Sequence, residues 1–469
     1  MKLNKNIDNN INILKDTLRV DESFDLVSRT IKIKNRTSCL FFIDGFIKDE
    51  VFEKILEFFF DVTDENFLAD PHTFSENCVP YVEVDISDDI NKLVQYVLSG
   101  MILLLIDGFD KCIIIDARTY PHRSVEEPVK DKVLRGSRDG FVETLVSNTA
   151  LIRRRIRDPQ LTIKIFTIGN VSKTDVCLCY MDNKVDKKLL NKISNSLKNS
   201  NVEALTMNQE SLVEAIYPHK WYNPFPKIKY SERPDSTASS IIEGNIAILV
   251  DNAPAALILP TSIFDLLEEA DDYYFPPFTG TYLRITRFLV TIATLFLTPV
   301  WLLFLQNPQI TPDFLKFLLV DSSINIPIFW QLILLEIIID GLRLAALNTP
   351  TFINTSLSII GAIILSEFAV DTGWFSTESL LYMAFVAMAN YSQPNFELGY
   401  SLKFMRIFLL ILTYIINIWG FIAGIIIIFA LLALNKTVSG KSYLYPLIPF
   451  DGKELLRKLI RVDMKKLNN

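Results

Sequence analysis

The chain has 469 residues, half of them hydrophobic, with 54 acidic against 47 basic side chains and a formal net charge of −7. That balance argues against a nucleic-acid binder, whose footprint is a basic face, and the length leaves room for more than one domain. Five cysteines set in apolar runs read as small core residues of a reducing compartment, and neither they nor the three scattered histidines have the spacing of a metal site or a hydrolytic triad. No metal, no cofactor and no enzymatic activity is expected.

Residues 1–20 are Asn-rich and then place Ile11, Leu14 and Leu18 at helical spacing, which predicts a docking arm. The start of the chain lacks an apolar signal region, which is expected to keep the first half in the cytoplasm. Residues 38–46, SCLFFIDGF, predict a strand ending in an Asp-Gly turn, and EVFEKILEFFF after them predicts an amphipathic helix. A strand over 81–86, a helix over 90–98 and a hairpin over 101–118 complete a first α/β subdomain, residues 1–117.

The connection over 118–141 is rich in proline and charge and too long for a turn. It ends in Arg135, Gly136, Arg138, Asp139 and Gly140 and leads into a helix over 141–157, with Arg153, Arg154 and Arg155 in its last turns. Cations there suit the helix dipole. These residues form a candidate assembly motif, because guanidinium forks pair well with acidic tracts; capping and solvated salt bridges are the plainer alternative. GSRDG lacks the Gly-Lys-Ser/Thr ending of a phosphate loop. Strands over 161–169 and 173–181, helices over 187–197, near Ser211 and after Pro234, a linker over 217–235 and a hairpin over 245–260 make a second α/β subdomain within 118–270.

Residues 271–287 place Tyr273 and Tyr274 before Arg284 and Arg287, the pattern of a collar at a membrane surface. Charges then become sparse. Residues 288–305 are long and apolar enough to span a bilayer, and the preceding arginines put the first half on the cytoplasmic side. The run over 306–325, with one Lys and no Arg, fits an outer loop. Residues 357–370, containing Glu367, and 380–389 are short and read as a broken or re-entrant pair. The longest apolar run, 404–434, is interrupted by Asn417, Gly420 and Gly424, and a basic tail, 435–469, follows. The fold expected is an α/β N-terminal region of two subdomains followed by an α-helical polytopic membrane domain over 288–434, with an even number of crossings, four.

Between the outer loop and the broken pair lies PIFWQLILLEIIIDGLRLAAL, residues 327–347, a helix of spanning length that carries Glu336, Asp340 and Arg343 on one face. On an insertion scale three central charges cost roughly 9 kcal/mol, against about 6 kcal/mol returned by the apolar residues. The charged face must meet protein or water. Glu336, Asp340, Arg343 and Glu367 are therefore ion-path candidates, the alternative being internal pairing of Arg343 with Asp340 or Glu336 as structural glue. No internal repeat of the transporter kind is evident.

Several strings together resemble one known family. VLRGSRDGFVETLVSNTALIRRRIRDPQL, SKTDVCLCY, the ERPD after Tyr230, DDYY with TGTYLRITRF, LEIIIDGLRLA and YLYPLIPFDGKELLRKLIR are similar to the A-subunits of spore germination receptors, from about Leu40 onward. The resemblance implies residence in the spore inner membrane with the N-terminal region facing the core. It also implies a ring of five copies, whose helices surround an ion path. Implied partners are a permease-like B-subunit or, in one branch of the family, a different small membrane protein. The leading expectation is a homo-oligomeric, cation-releasing subunit of germination, and the competing one is a non-conducting scaffold that gathers receptors.

Overall fold

The computed structural model describes residues 2–119, 136–217, 221–309, 311–320, 325–348 and 369–461. The chain divides into two compact units, Met1–His219 with Ile228–Pro260, and Lys220–Lys227 with Thr261–Asn469.

The first unit opens with α1 (Ile7–Leu18), capped by the Asn6 side chain, which accepts from the Asn9 N–H. Its Leu14 and Leu18 are fully buried, so this segment is part of the core rather than a docking arm. Then come β1 (Leu26–Ile33), β2 (Arg36–Ile43), α2 (Asp49–Phe60), α3 (Pro71–Cys78), β3 (Val84–Ser87), α4 (Ile90–Leu98), β4 (Ile102–Ile106) and β5 (Cys112–Ile115). They form an antiparallel sheet of order β1-β2-β4-β5-β3. Strand β4 is buried throughout and reads as a continuous apolar run, whereas β1 exposes Arg29 and Thr30 and alternates only at its end, with Lys32 exposed between buried Ile31 and Ile33.

The second half of the unit runs α5 (Leu145–Arg155), β6 (Leu161–Ile168), β7 (Thr174–Met181), α6 (Lys187–Lys198), α7 (Asn208–Ile216), β8 (Lys229–Ser231), α8 (Pro234–Ile242), β9 (Ile246–Val250) and β10 (Ala256–Leu259). Its sheet, β6-β7-β9-β10-β8, repeats the strand order of the first. Helix α5 starts later than position 141, because Asn148 ties the preceding chain down. Its side chain accepts from the Val142 N–H at 2.8 Å and donates to the Val142 carbonyl at 2.6 Å. Asn10 of α1 does the same to Asn4, accepting at 3.1 Å and donating at 2.6 Å. The two halves therefore share strand order, a leading helix and the bond pattern of its buried asparagine. The repeat went unnoticed in the sequence.

The second unit is helical: α9 (Ile263–Leu266), α10 (Asp271–Tyr274), α11 (Pro277–Gln306), α12 (Ile328–Asn348), α13 (Thr377–Tyr391), α14 (Phe396–Leu434) and α15 (Gly452–Leu459). Residues 261–270 pack here rather than with the second subdomain, through buried Leu266 and Leu267. Helices α11 and α14 are long and apolar enough to cross a membrane. Helix α14 is two arms, because Asn417 adopts φ 56°, ψ −135°. Added β-carbons at Gly420 and Gly424 would lie 1.9 Å from the Leu412 carbonyl and 2.5 Å from Leu409, so the second arm folds back along the first.

Contacts along the helices order their directions. Thr291 meets Gln393, and Asn307 exchanges side-chain bonds with Asn417, so α11 and the first arm of α14 run parallel. Phe329 stacks on Tyr414 while Arg343 lies by Tyr400, so α12 runs against them; α13 does too, from Ser376 at Gln331 to Tyr391 at Arg343. The second arm of α14 returns to the end where α11 begins, and the Tyr443 carbonyl accepts from the Ile263 N–H at 3.1 Å.

Candidate functional site

Helix α12 carries Glu336, Asp340 and Arg343 on neighbouring turns, and its apolar residues pack into the core with α11, α13 and α14. Glu336 is buried. Its Oε1 accepts from Arg406 Nε at 2.8 Å and Nη2 at 2.5 Å, and its Oε2 is 3.3 Å from Lys403 Nζ. Lys403 also pairs with Asp340, whose side chain stays 41% exposed. Arg406 Nη1 donates to the Thr294 carbonyl of α11 at 2.8 Å, which ties three helices at one level. Arg343 pairs with neither acid among the described residues and lies instead over Tyr391, Phe396 and Tyr400. Internal glue exists, but with partners other than the expected Arg343.

Lys403 and Arg406 were missed by sequence reasoning, because 404–434 was read as an apolar run and Lys403 fell just before it. Their spacing of three residues on one helix face, against the spacing of four between Glu336 and Asp340, was the available signal. The cluster therefore holds two carboxylates and three cations, which at rest opposes a cation entering it. Glu367 lies outside the described residues.

Near the start of α11, Arg284 and Arg287, expected at an interface, turn inward. Arg287 Nη1 donates to Asp272 at 2.9 Å and its Nη2 to Glu269 at 2.6 Å; Arg284 Nε donates to Asp272 at 3.3 Å, with its guanidinium 4.9 Å from the Tyr273 ring. Asp272 has no exposed surface, so both arginines are needed to hold its charge there. Tyr273 is exposed and Tyr274 half-buried. Burial pushes the Glu269 carboxyl up despite Arg287. Burial would do the same to Asp265, but the Lys458 ammonium of α15 and the Ser262 hydroxyl outweigh it and hold that carboxyl below the ordinary aspartate value.

In the first unit the arginine run divides. Arg153 has no exposed surface: its Nε donates to Asp25 Oδ2 at 2.8 Å and its Nη2 to Asp25 Oδ1 at 3.1 Å and to the Leu161 carbonyl at 3.0 Å. Arg155 donates to Asp139 and to Ser137, each at 3.0 Å. Arg138 is exposed and Arg154 half-buried; Gly136 has φ 111°, and Gly140 is buried. Arg135 lies outside the described residues. Arg153 thus joins the two repeats, and Arg155 with Asp139 braces the loop before α5.

The model of the family described as Bacillus/Clostridium GerA spore germination protein matches residues 12–469. The chain is 34% identical to stage V sporulation protein AF of Bacillus subtilis over 98% of this chain and 93% of that one. It is 27% identical to spore germination protein KA of the same organism, over 96% of this chain and 84% of that one. The crystal structure of the N-terminal domain of the A subunit of the Bacillus megaterium spore germinant receptor GerK3 is similar at 27% identity and a TM-score of 0.41, covering 55% of this chain and 96% of that one. With the family model spanning nearly its whole length, the chain belongs to the GerA family of spore germination proteins.

Proposed function

We propose that this germination-family chain is a conducting subunit of the spore inner membrane, assembled as a ring of identical copies, with its N-terminal unit on the cytoplasmic, core side. The charge cluster of α12 and α14 is then the closed state of a cation path. The observation that supports this is Asp340. Its carboxylate is neutralised by Lys403 yet remains 41% exposed, while Glu336 beside it is sealed. Opening withdraws the cations from the acids, which then favour a passing cation. Exposed Arg138 is the candidate for contact between copies, and a permease-like subunit or a small membrane protein is the candidate partner. A scaffold is the second reading, favoured by the pairing of both acids within one protomer.

Replacing both acids, Glu336→Gln with Asp340→Asn, leaves Lys403 and Arg406 in place without counter-charges. Compared at equal amounts of inserted protein of wild-type oligomer size, cation efflux from liposomes should fall by roughly tenfold or more. Equal rates would take these residues out of the path and support the scaffold.

A further inference from the structure

Arg343 stands among three aromatic faces. Its guanidinium carbon is 4.8 Å from the ring centre of Tyr400, 5.3 Å from Phe396 and 5.4 Å from Tyr391. All three lie within the range at which a ring quadrupole attracts a cation. Arg343 makes no ion pair among the described residues, because Arg406 and Lys403 already occupy the two carboxylates. It is the surplus cation of the cluster, held by ring faces.

The surrounding cleft is built for more than packing. Asp340 and Asn390 line it beside Arg343. The Asn390 Oδ1 is buried and has no hydrogen-bond partner among the described residues, an acceptor that a cationic N–H could use. Tyr391 and Phe396 are 48% and 49% exposed, so the aromatic side of the cleft can be entered. Three ring faces, a partly exposed carboxylate and an unused acceptor are the parts of a receptor for a small organic cation.

We propose that this cleft is a binding site for a guanidinium or alkylammonium head group, occupied at rest by Arg343 as a tethered competitor. A free cation must displace Arg343, and the long flexible stem lets that side chain leave without movement of the helix. The regulatory consequence rests on the conduction reading: displacement relocates one positive charge beside Asp340. Binding itself does not rest on it.

The test uses the full chain in detergent with methylguanidinium chloride as probe, and sodium chloride and urea at matched concentrations as controls. Wild type should show a rise of its unfolding midpoint beyond that of sodium chloride only at methylguanidinium concentrations roughly tenfold or more above those that saturate Arg343→Ala, because the tethered side chain competes for the same ring faces. Arg343→Ala empties the box, and its midpoint should rise by roughly 2–4 °C with saturating methylguanidinium and with neither control. Adding Tyr400→Ala should abolish the rise. If Arg343→Ala does not fold, methylguanidinium present during solubilisation should restore its folded yield, as sodium chloride should not. Absence of both the shift and the rescue, or a shift that survives Tyr400→Ala, would overturn the proposal. None of these readouts needs ion flux, so a variant that binds the cation while the wild type conducts nothing would sink the conduction reading alone.

Discussion

Arg153 carries its charge to a position with no exposed surface, where Asp25 meets it with both carboxylate oxygens. The backbone around Asp25 is tied to the second sheet as well: the Phe24 N–H donates to the Ile163 carbonyl, and the Ile163 N–H to the Ser23 hydroxyl, each at 3.0 Å. Removing the cation strands a buried carboxylate, which costs about 3–5 kcal/mol. Arg153→Met should therefore lower the stability of the first unit by that order in chemical denaturation. The double variant with Asp25→Asn should recover part of the loss, since no bare charge remains. A loss below about 1 kcal/mol for the single variant would show that the pair is solvated. The sequence displays Arg153 as one of three adjacent arginines, and nothing local separates it from Arg154. Its partner is 128 positions away, so the pairing is legible only after the fold is known.

At the scale of an element, α14 shows how an apolar run conceals a reversal. Asn417, Gly420 and Gly424 are visible as interruptions, but a helical hairpin turning about one residue has no loop to announce it. The positive φ of Asn417 is held by two side-chain bonds with Asn307. Gly420 has no such freedom of choice, because a β-carbon there meets the backbone carbonyl of Leu412. Gly420→Ala should force the arms apart and lower the unfolding midpoint in detergent by several degrees or more. Asn417→Gly should cost less, since glycine accepts that backbone while losing only the Asn307 bonds. Equal effects would place the constraint in the side chain and not in the close approach. Strand β1 was overlooked for the opposite reason: LVSRTIKI alternates with polar residues and so lacks the apolar run that marked β2 and β4. The repeat has a faint trace as well, since Cys39-Leu40 and Cys177-Leu178 occupy corresponding places in β2 and β7.

For the molecule as a whole, the direction of each helix makes sidedness a measurable quantity. Helix α11 and the first arm of α14 end together at Asn307 and Asn417, and the second arm returns to the level at which α11 begins. Lys316, between α11 and α12, therefore belongs to one end of the helical unit, and Lys441, after α14, to the other. Both are exposed. The native thiols offer little background: all five cysteines are buried, and burial pushes the Cys39 thiol up to about 11 and the Cys112, Cys177 and Cys179 thiols higher still, away from the reactive thiolate. On the proposed orientation, which puts the N-terminal unit on the cytoplasmic side, a maleimide that does not cross membranes should label Lys316→Cys on intact cells. It should label Lys441→Cys only after permeabilisation. The reverse pattern would turn the protein over in the membrane and put Arg284 and Arg287, in the first turns of α11, on the side opposite to the one that positively charged flanks ordinarily take. Labelling of both on intact cells would remove the crossing altogether, and with it the reason for keeping Glu336 and Arg406 paired between apolar helices.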